Sequence, residues 1–268
     1  MKRLYLLLAL VIVGVGVFWF WICQTDFIME VSILDVGQGD SILVRSPEKI
    51  MLIDGGPNAR AVSELGRVLP AGTKKLDWVV ITHPHLDHFG GLFWVADRYE
   101  IGELWVFTVS GSPQYERFLS LAREKKIPVR MPAAPEQIDL GGGVRVEVLY
   151  PFQAGNPFTN NDSVVLKASY GEIEFLLTGD IEAPRELELV NKKVDLEAEF
   201  LKLAHHGSKT SSVIPFLEAV DPLYTFISAG ENNRFDHPSR KTLYFLGKLG
   251  IPFYRTDIDG RTTVRLEF

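Results

Sequence analysis

The sequence predicts one α/β domain preceded by a single apolar helix at the amino terminus. Two observations predict this organisation: residues 4–23 carry no charged side chain, and the rest of the chain alternates short apolar runs with longer amphipathic stretches. A third observation concerns chemistry, because several apolar runs end directly on histidine or aspartate. No repeat or linker divides residues 25–268, so they are predicted to form one domain.

The apolar run at 4–23 is long enough to cross the hydrocarbon core of a bilayer as a helix. Lys2 and Arg3 precede it, which favours a cytoplasmic amino terminus and an extracytoplasmic domain. The run ends in aromatic residues at 18–21, which suit a membrane interface, and no small-residue cleavage pattern follows. A retained single-pass anchor over residues 1–24 is therefore favoured over a cleaved signal peptide, which would release a secreted domain.

Charge and cysteine content limit the chemistry of the domain. The chain holds 28 basic and 34 acidic residues, a net charge of −6, and no basic run typical of nucleic-acid binding. A nucleic-acid substrate would need local positive charge, including that of a metal ion. The single cysteine, Cys23, lies at the predicted anchor, so any metal site in the domain must use histidine, aspartate and glutamate.

The elements follow from apolar periodicity and glycine punctuation. Glycines 37 and 39 separate the first two apolar runs, glycines 55 and 56 end the third, and amphipathic stretches then alternate with further runs. Strands are predicted at 28–35, 41–45, 50–53, 76–81, 103–107, 144–149, 163–169, 173–178, 199–204 and 223–228, with two more near the end. Helices are predicted at 59–69, 90–98, 113–126, 183–193, 213–220 and 239–249.

The histidines are concentrated in one loop. Three of the six, His83, His85 and His88, lie within six residues, and Asp87 lies between the last two. Residues i and i+2 of extended backbone point the same way, so His83 and His85 can bind one ion. Asp87 and His88 follow at a turn, where they can face a neighbouring ion. The density of ligand types favours a metal site over isolated core or surface histidines.

Two further strand ends carry ligand-type residues. Asp180 follows the run at 173–178, and His205 follows the run at 199–204. Ligands at the ends of several strands assemble a site at one edge of an α/β sheet. Asp180 can bridge two ions through its two oxygens, cap the helix that follows, or do both.

These residues resemble the metallo-β-lactamase superfamily, whose hallmark is the HxHxDH motif, here residues 83–88. The further motifs DVGQGDS, LIDGG, LAHHGS and NRFDHP, at 35–41, 52–56, 203–208 and 233–238, narrow the resemblance. Over residues 27–268 the chain looks like the extracytoplasmic hydrolase domain of the ComEC DNA-uptake competence proteins. The resemblance implies an αββα sandwich with one or two metal ions, usually Zn2+.

The resemblance also implies a set of ligands. It implies that His83 and His85 bind a first ion, that Asp87, His88 and His205 bind a second, and that Asp180 bridges them. The third histidine that the superfamily usually supplies to the first ion is absent. Asn160 or Asn161 stands in the corresponding stretch, and because an amide oxygen is a harder, weaker donor, Mn2+ is an alternative to Zn2+. The same stretch is also typical of a plain turn.

Other polar residues near the motifs are candidates for supporting roles. The candidate catalytic residues are Asp87, His237 and Arg234. His237 could donate a proton to a leaving oxygen while Arg234 holds an anionic group. Alternatively, His237 could cap a local turn. His206 is expected to point away from the ions. Supporting contacts to the ligands are predicted for Asp35, Asp40, Asp54 and His206. Asp35 and Asp40 flank a glycine-containing turn and could also be plain turn residues.

The predicted function is a metal-dependent hydrolase that activates water. The resemblance implies a phosphodiesterase, and more narrowly a DNA nuclease linked to competence; a small phosphodiester or an ester of the cell wall is an alternative substrate. A different class also fits the sequence: a non-catalytic, membrane-anchored binding or assembly module with a degraded metal site. The partners implied are a nucleic acid, the membrane, and other uptake or envelope proteins.

Overall fold

The computed structural model describes residues 27–152 and 159–267. In these ranges two seven-stranded sheets pack face to face with helices on both outer surfaces, which confirms the predicted αββα sandwich. The predicted anchor at 1–24 and Cys23 lie outside the described residues. Within the described ranges, no helix has both the length and the apolar character that a bilayer crossing needs.

The first sheet contains the amino-terminal half of the domain and the last strand. Its pairing changes from antiparallel to parallel at the strand Ile50–Ile53, because the strands after it are joined by helical crossovers. In spatial order it holds β14 (Thr262–Glu267), β1 (Phe27–Ile33), β2 (Ile42–Arg45), β3 (Ile50–Ile53), β4 (Lys75–Ile81), β5 (Glu100–Val106) and β6 (Val129–Arg130).

The second sheet has the same plan. Its strands pair antiparallel up to Ile173–Leu177 and parallel beyond that strand. In spatial order it holds β13 (Phe253–Arg255), β12 (Tyr224–Ile227), β11 (Phe200–Lys202), β10 (Ile173–Leu177), β9 (Val165–Tyr170), β8 (Val144–Tyr150) and β7 (Glu136–Gly141).

The helices cover the outer surfaces and explain why central strands are buried on both sides. One apolar cluster fills the space between the sheets and continues onto the helices of the second sheet, and another lies between the first sheet and its own helices. In chain order the helices are α1 (Arg60–Val68), α2 (Leu86–Phe89), α3 (Leu92–Arg98), α4 (Pro113–Glu124), α5 (Ala183–Asn191), α6 (Ile214–Val220), α7 (Arg240–Leu249) and α8 (Thr256–Asp259).

The sequence prediction missed two strands and placed the end of a third too late. The first missed strand, β6, is only two residues long, and both of its residues are exposed. β7 was not predicted, because only Ile138 and Leu140 of its six residues face the core and the others are polar. The strand predicted at 199–204 ends at Lys202, and the chain continues as a 3₁₀ turn, Ala204–Gly207. That turn carries His205 and His206, so its geometry decides where both side chains point.

Candidate metal centre

The candidate centre lies where strands of both sheets end. β3 and β4 lead to Asp54 and to the loop that contains His83, while β10 and β11 lead to Asp180 and to the 3₁₀ turn. Pairing changes from antiparallel to parallel at β3 in the first sheet and at β10 in the second. The carboxyl ends of such strands leave an open edge, and facing edges of two sheets place their loops opposite each other.

Asp180 is the centre of the cluster. One of its oxygens, Oδ2, lies 3.2 Å from Nε2 of His88, 3.4 Å from Nε2 of His206 and 3.9 Å from Nε2 of His83. It also lies 3.9 Å from Nε2 of His205. A single buried carboxylate oxygen therefore faces four imidazoles that come from two different sheets. This position suits a bridging ligand, the role that the resemblance implies for Asp180.

Four overlapping groups of ligand atoms in the described residues are close enough to hold an ion, and two of them include residues of the predicted loop 83–88 together with Asp180 or His206. Asp87, His88 and His206 offer one set, and His83, His88 and Asp180 offer another, each with ligand atoms within 4.8 Å of one another. Nδ1 of His85 lies 3.0 Å from Nε2 of His83, which adds a half-exposed ligand to the second set. The structure thus brings together five of the predicted metal ligands: His83, His85, Asp87, His88 and Asp180.

The expectation for the two adjacent histidines of the 3₁₀ turn is wrong in one respect. His206 does not point away: it is buried, and its Nε2 lies 3.7 Å from Oδ2 of Asp87 as well as close to Asp180. His205 lies at the edge of the cluster, with Nδ1 3.4 Å from Oε1 of Glu182. Both residues have positive φ, so extended-chain alternation does not apply to them.

Several buried polar atoms in the cluster have no hydrogen-bond partner among the described residues. Buried polar groups are normally hydrogen-bonded, so a cluster of unpaired polar atoms needs an explanation. A bound metal ion is one explanation. The atoms are Nε2 of His88, Nε2 of His206, Oδ1 of Asp180, Oδ1 of Asp40 and Oδ1 of Asn160. Carboxylate, imidazole and amide donors of this kind fit zinc or manganese.

The charges of the cluster also fit a cation. Burial lowers the pKa of His88, but the carboxylates of Asp180 and Asp54 outweigh burial and raise this pKa well above its usual value. Burial likewise lowers the pKa of His206, and Asp180 and Asp40 raise it well above the usual value. Burial raises the pKa of Asp180, but His206 and His88 hold it well below the usual range. Buried carboxylates thus collect positive charge, which a metal ion can supply in place of protons.

Asp54 orients His88. Oδ2 of Asp54 accepts hydrogen bonds from Nδ1 of His88 at 2.7 Å and from the Thr82 hydroxyl at 2.7 Å. The backbone N–H of Thr82 donates to the other oxygen at 2.8 Å. These contacts turn Nε2 of His88 toward Asp180, which is the supporting role predicted for Asp54.

Asp40 lies beside His206 at ion-pair distance, and the Ser228 carbonyl makes the hydrogen bond that orients the ring. Oδ1 of Asp40 lies 3.4 Å from Nδ1 of His206, which donates to the carbonyl of Ser228 at 3.0 Å. Oδ2 of Asp40 accepts from Nζ of Lys202 at 2.7 Å, and both side chains are buried. Asp35, by contrast, does not take the predicted supporting role: its carboxylate binds Arg60 at 2.8 Å and the N–H of Gly37, as a turn residue does.

The two asparagines proposed as replacement ligands have different surroundings. Asn160 lies against His205, with Nδ2 3.3 Å from Nε2 of that ring, and its Oδ1 is buried without a partner. Asn161 faces away: its Oδ1 accepts from the N–H of Glu182, and its carbonyl accepts from Nε of Arg185. Asn160 is therefore the candidate that the structure places at the cluster.

Sequence reasoning missed Ser163, which holds the centre together. Its hydroxyl lies 3.2 Å from Nδ1 of His83, donates to the carbonyl of Asn160 and accepts from the N–H of Asp180. One side chain thus positions a ligand from each sheet and the asparagine. Its place directly after the asparagine stretch was the only signal in the sequence, and a serine there is equally typical of a turn.

His237 and Arg234 lie at the mouth of the centre. The His237 ring is 5.5 Å from that of His205, centroid to centroid, and burial together with His206 and His205 lowers the pKa of His237 to about 4. His237 is therefore a neutral imidazole near pH 7. Arg234 is exposed and lines a cleft of about 500 Å³ that also includes Asp87 and Arg60.

Comparison with known proteins agrees with this geometry. Residues 34–231 match the family model described as "Metallo-beta-lactamase superfamily". "ComE operon protein 3" of Bacillus subtilis is 32% identical over 88% of this chain and 33% of its own length. "Competence protein ComA" of Neisseria gonorrhoeae is 34% identical over 86% of this chain and 31% of its own length. The chain thus spans about a third of the length of these curated relatives.

Solved structures show the same fold. The metallo-beta-lactamase fold protein YhfI from Bacillus subtilis superimposes with a TM-score of 0.57 at 13% identity, covering 88% of this chain and 99% of YhfI. At that identity the likeness concerns the fold alone. The family match covers the sheet edge where both ligand-bearing loops meet, from the first aspartate loop to beyond the 3₁₀ turn. With its motifs, its two-sheet sandwich and its histidine–aspartate cluster, the chain belongs to the metallo-β-lactamase superfamily.

Proposed function

We propose that this chain is a metal-dependent phosphodiesterase that cleaves DNA on the extracytoplasmic side of a membrane. The observation that carries the proposal is the single carboxylate oxygen of Asp180, which faces four imidazoles from two sheets. The competence names of the curated relatives support DNA as the substrate. The uncharged run at 4–23 supports membrane attachment, with other uptake or envelope proteins as partners.

We assign the ligands of two ions from the geometry. His83, His85, Asp180 and the amide oxygen of Asn160 would hold one ion. Asp87, His88 and His206 would hold the other and share Asp180. His206 replaces His205 in the assignment because its Nε2 lies nearer to Asp180, at 3.4 Å against 3.9 Å, and also lies 3.7 Å from Oδ2 of Asp87. Zn2+ and Mn2+ both suit this mixture of imidazole, carboxylate and amide donors.

The chain's own groups prepare the site for an anionic ester. When bound, two ions supply the acidity needed to ionise water near neutral pH and neutralise charge on a phosphoryl group. Asp54 fixes the imidazole of His88, and the Ser228 carbonyl fixes that of His206 beside the carboxylate of Asp40. Arg234 offers a guanidinium beside Asp87 for a phosphate oxygen. His237, being neutral, can offer a hydrogen bond to the ester but carries no imidazolium proton to donate.

The test uses the full chain, purified in detergent, stripped of metal and assayed with Zn2+ or Mn2+ added back. The substrates are bis(p-nitrophenyl) phosphate, single-stranded DNA and double-stranded DNA. We expect metal-restored hydrolysis that Asp87→Ala reduces by at least a hundredfold, because a ligand is lost. Asp97→Ala is the matched control, since its side chain is 87% exposed.

The other outcomes each select a different function. Metal binding without turnover of any phosphodiester would contradict the proposal and favour a different ester. A chain that binds no metal would be the non-catalytic binding or assembly module. Cleavage of the small phosphodiester without cleavage of either DNA would support the phosphodiesterase activity and contradict the nuclease activity.

A further inference from the structure

The mouth of the metal centre is divided by one exposed aromatic side chain. Phe235 is 49% exposed and borders two clefts. The first cleft, of about 500 Å³, contains Arg60, Arg234 and the exposed Leu86 beside Asp87. We call it the arginine cleft.

The second cleft, of about 560 Å³, lies on the other side of Phe235. It contains Lys209, Arg240 and His237, and we call it the lysine cleft. Because Asp87 belongs to one cleft and His237 to the other, both open beside the metal centre.

The loop that carries Phe235 is held by four hydrogen bonds of the Asn233 side chain. Oδ1 of Asn233 accepts from the backbone N–H of Phe235 at 3.2 Å and of His237 at 3.0 Å. Nδ2 of Asn233 donates to the carbonyls of Gly230 and His237. The Phe235 ring stacks on His237, with centroids 5.7 Å apart and planes 25° apart. Single exposed aromatics are common on surfaces, but this one is braced and leaves part of its surface open to solvent beside the metal centre.

Three of the four cations in the clefts form no ion pair among the described residues, although Arg234 contacts the Phe235 ring. These three, Arg234, Lys209 and Arg240, are exposed, whereas Arg60 is paired with Asp35. The guanidinium of Arg234 lies over the Phe235 ring, 4.8 Å from its centroid, so a nucleic-acid base would stack on the exposed part of the ring that neither Arg234 nor His237 covers. Asp236 is the acid in the lysine cleft, and Asp35 lies near the arginine cleft through its pair with Arg60. In a chain of net charge −6, cations on both sides of the centre mark a local site for a polyanion.

We propose that the substrate is a single nucleic-acid strand that crosses both clefts and stacks one base on Phe235. Its phosphates lie near Arg234 and Arg60 on one side of the ring and near Lys209 and Arg240 on the other. Stacking on a protein aromatic requires an unstacked base, which a single strand offers and an intact duplex does not. This inference rests on the proposed phosphodiesterase function and specifies its substrate.

The test is binding to the full chain with the metal removed by chelator, so that no cleavage occurs. A fluorescent oligothymidylate and a duplex of the same length are titrated by anisotropy. We expect Phe235→Ala to weaken binding of the single strand on the order of tenfold, because the stacking of one base on the ring is lost. Phe235→Trp should retain binding, and the duplex should bind more weakly and respond little to either change.

Two controls separate stacking from other effects. Tyr244→Ala removes an aromatic that is 67% exposed on α7, and we expect it to leave single-strand binding unchanged. Lys209→Ala with Arg240→Ala should weaken binding and reduce its salt dependence, because fewer counterions are released. Thermal melting of each variant verifies that it folds.

The outcomes distinguish this inference from the function on which it rests. If Phe235→Ala and Tyr244→Ala bind the single strand equally well, the stacking site is refuted even when bis(p-nitrophenyl) phosphate is hydrolysed. If Phe235→Ala selectively weakens single-strand binding while the wild type hydrolyses no phosphodiester, the strand site stands and the phosphodiesterase fails. Equal effects of Phe235→Ala on single strand and duplex would also overturn the proposal.

Discussion

Asp54 shows how one buried residue sets the orientation of a ligand. Its Oδ2 is 2.7 Å from Nδ1 of His88, which leaves Nε2 of that ring toward Asp180. We expect Asp54→Asn to lower metal affinity by about 10- to 100-fold, because a neutral amide neither selects this tautomer nor raises the basicity of the ring. Competition titration with a metal indicator measures it. Asp97→Asn is the control, and an unchanged affinity in Asp54→Asn would contradict this role.

The loops around the centre depend on a close backbone contact at Gly39. Its φ is +137°, and a Cβ there would lie 2.1 Å from the carbonyl oxygen of Asp87. We expect Gly39→Ala to displace the loop 83–88, so that it loses metal binding as well as stability. Titration of metal and urea denaturation measure the two effects.

Gly72→Ala is the matched control for this element. Gly72 also has a positive φ, +91°, but no atom lies within 4 Å of its hypothetical Cβ. The Gly72→Ala variant should lose only the free energy of unfolding that comes from the glycine backbone conformation, on the order of 1 kcal/mol, and should retain metal affinity. Equal losses in the two variants would show that strain, and not the contact with Asp87, limits position 39.

At the scale of the whole molecule, pH dependence of stability has one source remote from the metal cluster. Glu186 on α5 accepts the N–H groups of Ser212 and Val213 at 2.6 and 2.9 Å, just before α6. Burial raises the pKa of Glu186 from 4.5 to about 7. A raised folded-state pKa means that the folded protein binds the proton more tightly, so its contribution to stability is full below pH 4.5 and is lost as pH rises to about 7.

Glu186→Gln tests this contribution. The free energy of unfolding of the wild type should fall relative to that of the variant by about 3 kcal/mol at most between pH 4.5 and 7.5, since one pKa unit corresponds to about 1.4 kcal/mol. Urea denaturation at several pH values measures the difference. A pH-independent difference would mean that the backbone hydrogen bonds keep Glu186 ionised throughout.

Much of the sandwich and of the ligand set could be predicted from the sequence because both follow from local patterns. Apolar runs identify strands, and ligand types at their ends identify the edge where the sheets meet. The orientation of His206 could not be predicted, because nothing in a pair of adjacent histidines indicates that both adopt the left-handed backbone conformation. Lys202 was not recognised either, since its partner Asp40 lies 162 positions away in the chain.

The division of the ligands between the sheets has a consequence for cohesion. The loop 83–88 belongs to the first sheet, while Asp180 and His206 belong to the second. An ion shared by these groups would act as a cross-link that ties the two halves of the sandwich at one end. Loading with metal would then protect amides in both halves from hydrogen exchange together, because opening either half would first have to release the ion.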